Sequence, residues 1–191
     1  MRLGRKLKEF RRPSPSPDRC TSLYLYCRCP FLYVFEMITD FNYWLTGIGC
    51  AEVFFSNEKQ NLRFKFSYLS DPLADLFQAL TKLMKGESKK EKIVFLDEPG
   101  QHVLFISKET GDVVSISIFR SAFWDEIGEF LIDENGIELV YSDTDTFSNF
   151  GSVICAGVDS LLGRHTLQEY HEKWVIYSFP AELYEELKQS I

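Results

Sequence analysis

The sequence predicts an α+β fold, a twisted antiparallel sheet of about six to eight strands with two main covering helices. Three observations carry that expectation. Strand-like segments come in runs instead of alternating with helices. The turns between them are short, which makes consecutive strands antiparallel neighbours. Two longer segments, 71–85 and 146–162, show an apolar stripe of helical period.

Residues 1–36 differ from the rest. Arg2, Arg5, Lys6, Lys8, Arg11 and Arg12 lead into Pro13-Ser14-Pro15-Ser16-Pro17, and then into Leu23–Phe35 with Cys27 and Cys29. Arg28 and Pro30 break the apolar stretch, so it does not read as a signal peptide. The cysteines lack the second ligand pair of a zinc site. The segment is expected to be a disordered extension or a mis-assigned start, with Met37 opening the working domain, 37–191.

From Met37 the pattern is β-rich. Tyr43–Ile48 and Ala51–Phe55 read as strands about a tight turn or bulge at Gly47-Ile48-Gly49; no helix follows that could make the pair a nucleotide loop. Leu62, Phe64, Phe66 and Tyr68 alternate with Arg63, Lys65 and Ser67, the period of a half-buried strand. Ser70-Asp71-Pro72 then supplies a helix start, and Leu73, Leu76, Phe77, Leu80, Leu83 and Met84 form one apolar stripe that Gly86 ends.

Ile93–Leu96, Val103–Ile106 and Val113–Phe119 are strands separated by turns at Asp97-Glu98-Pro99-Gly100 and Glu109-Thr110-Gly111-Asp112. After an irregular stretch at 121–129, Asn135-Gly136 predicts a hairpin between Phe130–Ile132 and Ile137–Tyr141. Asp143 or Asp145 is expected to cap the second main helix, with Phe147, Phe150, Ile154, Val158 and Leu161 inward and Gly163 at its end. Thr166-Leu167-Gln168-Glu169 has the form of a capping box and predicts a short helix to Trp174. Val175–Tyr177 reads as an edge strand, and Phe179-Pro180 opens a last helix with Leu183, Tyr184 and Leu187 inward.

Charge narrows the function classes. Residues 1–36 hold 8 basic and 3 acidic residues, whereas 37–191 hold 13 basic and 25 acidic. No Lys or Arg lies between Arg120 and Arg164. An acidic body repels phosphates, so nucleic acid is not expected as a partner; a basic protein is, although acidic surfaces also serve solubility alone. No apolar run approaches the roughly 20 residues of a membrane helix, so no membrane partner is expected. The 5 cysteines are odd in number and irregularly spaced, which points to free thiols and a cytoplasmic location. Cys50 and Cys155 lie in apolar settings and read as buried.

Signatures of chemistry are sparse. His165 and His171 are six apart and do not share a helical face, so they are not a zinc-hydrolase pair and read, with His102, as solvated surface histidines. Asp143 and Asp145 have the spacing for a hard cation, but capping accounts for them. Cys155 has no base in sequence to activate it. No metal or cofactor is expected. The most distinctive loop is Phe123-Trp124-Asp125-Glu126, a large aromatic pair beside acids, continued by Glu129, Asp133 and Glu134. These seven residues are the expected protein interface.

The segments Gly47-Ile48-Gly49-Cys50-Ala51-Glu52, Ser67-Tyr68-Leu69-Ser70-Asp71-Pro72-Leu73-Ala74-Asp75-Leu76 and Glu98-Pro99-Gly100 resemble a group of small uncharacterised bacterial proteins, some of which look like immunity proteins encoded beside polymorphic toxins. The resemblance covers roughly residues 41–190 and carries over no catalytic residue. It implies a cytoplasmic, non-enzymatic binding protein that neutralises a toxin by covering its active surface. The alternative class is a small enzyme with a site near His102 or the Asp143/Asp145 pair.

Overall fold

A computed structural model describes residues 37–122 and 137–191. The first three strands, β1 (Asp40–Gly47), β2 (Cys50–Ser56) and β3 (Asn61–Ser67), form an antiparallel meander in the order β1-β2-β3. Its register lines up large residues on one face. Tyr43 pairs with Val53 and Val53 with Phe64; Leu45 pairs with Ala51 and Ala51 with Phe66. All six are buried, each larger side chain contributing roughly 1.5–3 kcal/mol. The other face is wetter: Arg63 pairs with Glu52 and lies over the Trp44 ring.

Helix α1 (Pro72–Lys85) follows at once, because Asp71 accepts a hydrogen bond from the Ala74 N–H and Pro72 suits the first turn. Of the predicted stripe, Leu73, Leu76, Phe77, Leu80 and Leu83 are buried and Met84 is half-buried, and Gly86 closes the helix in the left-handed conformation. The chain then builds a second antiparallel meander from β4 (Lys90–Leu96), β5 (Gln101–Lys108), β6 (Val113–Ser121) and β7 (Ile137–Thr146), ordered β4-β5-β6-β7. Its core face presents Ile93, Phe95, Leu104, Ile106, Val114, Ile116, Ile118 and Tyr141.

The α+β class is therefore present, but as two sheets of three and four strands instead of one continuous sheet. At the β3–β4 junction the chain makes side-chain bonds in place of a ladder: Ser67 Oγ donates to the Leu96 carbonyl and the Leu96 N–H to Ser70 Oγ. Phe64 and Phe66 of the first sheet pack edge-on against Phe95 of the second, at 5.3 and 5.1 Å between ring centroids.

Four helices are described, the two main ones and the two shorter ones that the sequence predicts after Thr166 and Pro180. Helix α2 (Phe147–Arg164) buries Phe147, Phe150, Ile154, Val158 and Leu161 and presses on β1. Its N-cap is Thr146, whose Oγ1 accepts from the Asn149 N–H; Asp143 and Asp145 belong to β7 and do not cap it. It also runs past Gly163 to Arg164. Helix α3 (Leu167–Trp174) starts on the predicted capping box and buries Tyr170 and Trp174. Helix α4 (Ala181–Ser190) follows Pro180 and lies along α1, with Phe77 and Tyr184 at 5.1 Å. Val175–Tyr177 is not a strand, for a reason given below. The hairpin partner at 130–132 and Asn135-Gly136 lie outside the described residues.

Candidate functional site

Each position that could carry chemistry has a definite setting. Asp143 and Asp145 alternate with Ser142 and Thr144 on β7, so both point to the core face and are buried. Donors meet them there. Asn57 Nδ2 (3.0 Å) and the Tyr141 hydroxyl (3.2 Å) donate to Asp143 Oδ2, and the Thr144 N–H donates to its Oδ1. The Ile38 N–H (3.0 Å) and Asn149 Nδ2 (2.8 Å) donate to Asp145 Oδ2, and the Thr146 N–H to its Oδ1. These carboxylates tie the start of the domain to β7 and α2. Among the described residues, no group of three His, Cys, Asp or Glu side chains converges as a metal ion requires.

His102 is not a solvated surface residue. It sits near the start of β5, stacked on Phe64 at 4.0 Å between centroids. Burial, reinforced by the nearby Arg120, lowers its pKa to about 4. Its Nδ1 is buried with no hydrogen-bond partner among the described residues. Beside it is a cavity of about 180 Å³, lined in part by Asp97, Gln101, Arg120 and Ser121. A histidine so depressed is neutral at physiological pH and a weak base, far from the matched value that proton transfer favours.

The thiols divide. Cys50 is exposed, not buried as its apolar neighbours suggested, because it starts β2 at the hairpin tip with its side chain on the wet face. Cys155 is half-buried on α2, and burial raises its pKa. His171 is exposed and His165 lies at the end of α2, so they do not converge. The expected interface residues Phe123, Trp124, Asp125, Glu126, Glu129, Asp133 and Glu134 all lie outside the described residues.

A different region stands out. Gly49, at the tip of the β1–β2 hairpin, donates its N–H to the Lys173 carbonyl (2.6 Å) and accepts from the Tyr68 N–H (3.0 Å). Three segments distant in sequence thereby meet at one corner. Gly49 has φ +69°, and a Cβ there would come within 2.4 Å of the Tyr68 ring, so the junction requires glycine. The corner exposes aliphatic side chains: Ile48 at 82%, Ile176 at 60%, Val175 at 44% and Leu69 at 37%.

Val175 explains the missing edge strand. It has φ +68° and ψ −64°, and the Ile176 N–H donates to the Trp174 carbonyl at 2.8 Å. This is a γ-turn, strained for any L-residue and more so for a β-branched one. The chain reverses there because Trp174 is drawn wholly inside, edge-on to Phe66 at 5.7 Å and to Tyr43 at 6.3 Å. Beneath the corner, Trp174 Nε1 is buried without a partner among the described residues, and the Tyr43 and Tyr170 hydroxyls are buried against each other. Burial raises the pKa of both phenols, and Asp71 adds to the effect on each. The Asp71 carboxyl is itself pushed up to about 6, chiefly by burial.

Comparison with protein families, curated proteins and solved structures found no match to the chain. Neither the expected interface nor the expected catalytic alternatives hinted at this corner. The one available signal was an isolated isoleucine between two glycines, Gly47-Ile48-Gly49, at the tip of a predicted hairpin.

Proposed function

We propose that the chain is a non-enzymatic protein-binding module whose partner is a basic protein. The resemblance over residues 41–190 favours the narrower form, an immunity protein that covers a toxin. The observation that supports the reading is charge. Residues 37–191 carry 25 acidic and 13 basic side chains. On α3 and α4 in particular, Glu169, Glu172, Glu182, Glu185 and Glu186 are all exposed. Of these five, Glu186 has a lysine partner, Lys85. Such a surface steers a basic partner and raises its association rate.

The setting of the titratable groups agrees with this. Asp143 and Asp145 are occupied by donors from four parts of the chain, and His102 is a neutral ring in an aromatic stack. The interval containing Asp125, Glu126 and Glu129 belongs to the same reading on sequence alone.

The test is retention from the source lysate by immobilised full-length chain, at low and high salt, beside a variant carrying Glu172→Lys, Glu182→Lys and Glu185→Lys. The expected result is one basic protein held at low salt, released by salt, and lost with the variant. Retention indifferent to charge reversal, or no retention at all, overturns the proposal.

A further inference from the structure

We infer that the cavity beside His102 is a binding site for a small oxyanion, held between the Arg120 guanidinium and the His102 Nε2–H. The inference stands apart from the protein-binding reading and adds a ligand site to it. His102 and Arg120 are cross-strand partners on β5 and β6, so their side chains leave the sheet side by side on one face. Both line the cavity, whose volume is about 180 Å³. A cavity of roughly 150 Å³ takes a benzene-sized molecule, so a phosphate or a small carboxylic acid fits this one.

The state of the ring assigns the donors. A neutral imidazole carries one proton. His102 Nδ1 is sealed from solvent and has no partner among the described residues. A proton there would be a buried N–H with nothing to receive it, so it belongs on Nε2, which is not sealed. Stacking on Phe64 at 4.0 Å fixes the ring plane, and with it the direction of that N–H. Beside it the guanidinium of Arg120 offers a rigid fork of donors that suits carboxylate and phosphate oxygens. Among the described residues no ion pair engages this guanidinium. Asp97 also lines the cavity, and Glu138 stands opposite Arg120 on β7. The charge that acts on the His102 ring is nevertheless that of Arg120, so the field at the two donors is positive. A neutral donor beside a cation matches an anionic acceptor. One wall of the cavity also depends on a specific residue. A Cβ at Gly100 would lie 2.6 Å from the Ser121 carbonyl oxygen, so the β4–β5 turn closes against the end of β6 because residue 100 is glycine.

The probes are inorganic phosphate and acetate, titrated separately into the full-length chain near pH 7 at fixed ionic strength, with the imidazoles of His102, His165 and His171 followed by heteronuclear NMR. The expected result is saturable binding of at least one probe that moves the His102 ring resonances and leaves those of His165 and His171 in place. Saturation by phosphate alone assigns a phosphate-bearing ligand, and by acetate alone a carboxylate. Arg120→Gln, at an exposed side chain, should weaken binding about tenfold. His102→Phe, which keeps a ring stacked on Phe64, should weaken it about fivefold through the lost hydrogen bond. Lys92→Gln, at an exposed lysine on β4, should leave it unchanged. The charge-reversal variant of the preceding test should bind the probes as the native chain does, so the two readings fail separately. No saturable binding of either probe, binding that leaves the His102 resonances unmoved, or binding undiminished in Arg120→Gln overturns the proposal.

Discussion

Asp71 is pulled two ways. As the N-cap of α1 it meets the positive end of a helix and the Ala74 N–H, which favour the carboxylate. Burial beside Tyr43 and Tyr170 and the nearby Asp75 favour the neutral acid, and they win, raising the pKa to about 6. Because the folded value lies above the unfolded one, its stabilising contribution is complete below about pH 4 and is lost as pH rises through about 6. His102 works in the opposite sense over nearly the same window. Its value is depressed to about 4, so its contribution is complete above about pH 6.5 and is lost as pH falls toward 4. The two partly cancel in the native protein. Asp71→Asn separates them, since asparagine also caps a helix and cannot ionise. The variant should be more stable near pH 7 by roughly 1–2 kcal/mol, allowing for the group's partial exposure, with the gap closing below about pH 4. Thermal melts at the two pH values check this, and a pH-independent gap would count against the burial argument.

The packing of α2 on β1 turns on one residue. A Cβ at Gly157 would lie 2.3 Å from the Phe41 carbonyl oxygen and 2.6 Å from its ring, so any side chain there lifts the helix from the strand. Gly163, in the same helix, has nothing within 4 Å of its Cβ position. Gly157→Ala should therefore destabilise by roughly 1–3 kcal/mol despite alanine's better helix propensity, whereas Gly163→Ala should stabilise by up to about 1 kcal/mol. Denaturant midpoints of the two variants provide the comparison. Elements like this one were largely legible in the sequence, because period and caps are local. The Leu73–Leu83 stripe, the Thr166/Glu169 capping box and the alternation in β3 all appear where expected. Errors arose where a local cue had two meanings. Asp143 and Asp145 before an apolar stripe look like caps, yet Tyr141, Asp143 and Asp145 also keep the period of a strand whose inward residues include acids. Val175, Ile176 and Tyr177 have strand-like side chains, but the burial of Trp174 forces a turn on them.

At the scale of the molecule, sequence patterns do not say where a meander sets down after a helix. The split between β3 and β4, and with it the two-sheet arrangement, depends on how α1 and the Phe64–Phe95 contact place the second meander. The aliphatic corner was hidden for a related reason. Its residues come from three places in the chain and meet only through the bonds of Gly49. The sheet order also has a kinetic consequence. Every described ladder joins strands consecutive in sequence, so most of the β-structure can form as hairpins, with low loop-closure entropy. The contacts of α2 are different in kind: it must return to β1, and Ile38 must reach Asp145 across 107 positions, so these contacts are expected to close after the ladders, past the transition state. Contacts that close so late are weak in the transition state for folding. Gly157→Ala should thus leave the refolding rate nearly unchanged and take its whole effect as faster unfolding, which stopped-flow measurement of both limbs reads directly. The resistance of this protein to proteolysis and heat would then be governed by how tightly one helix grips one edge strand.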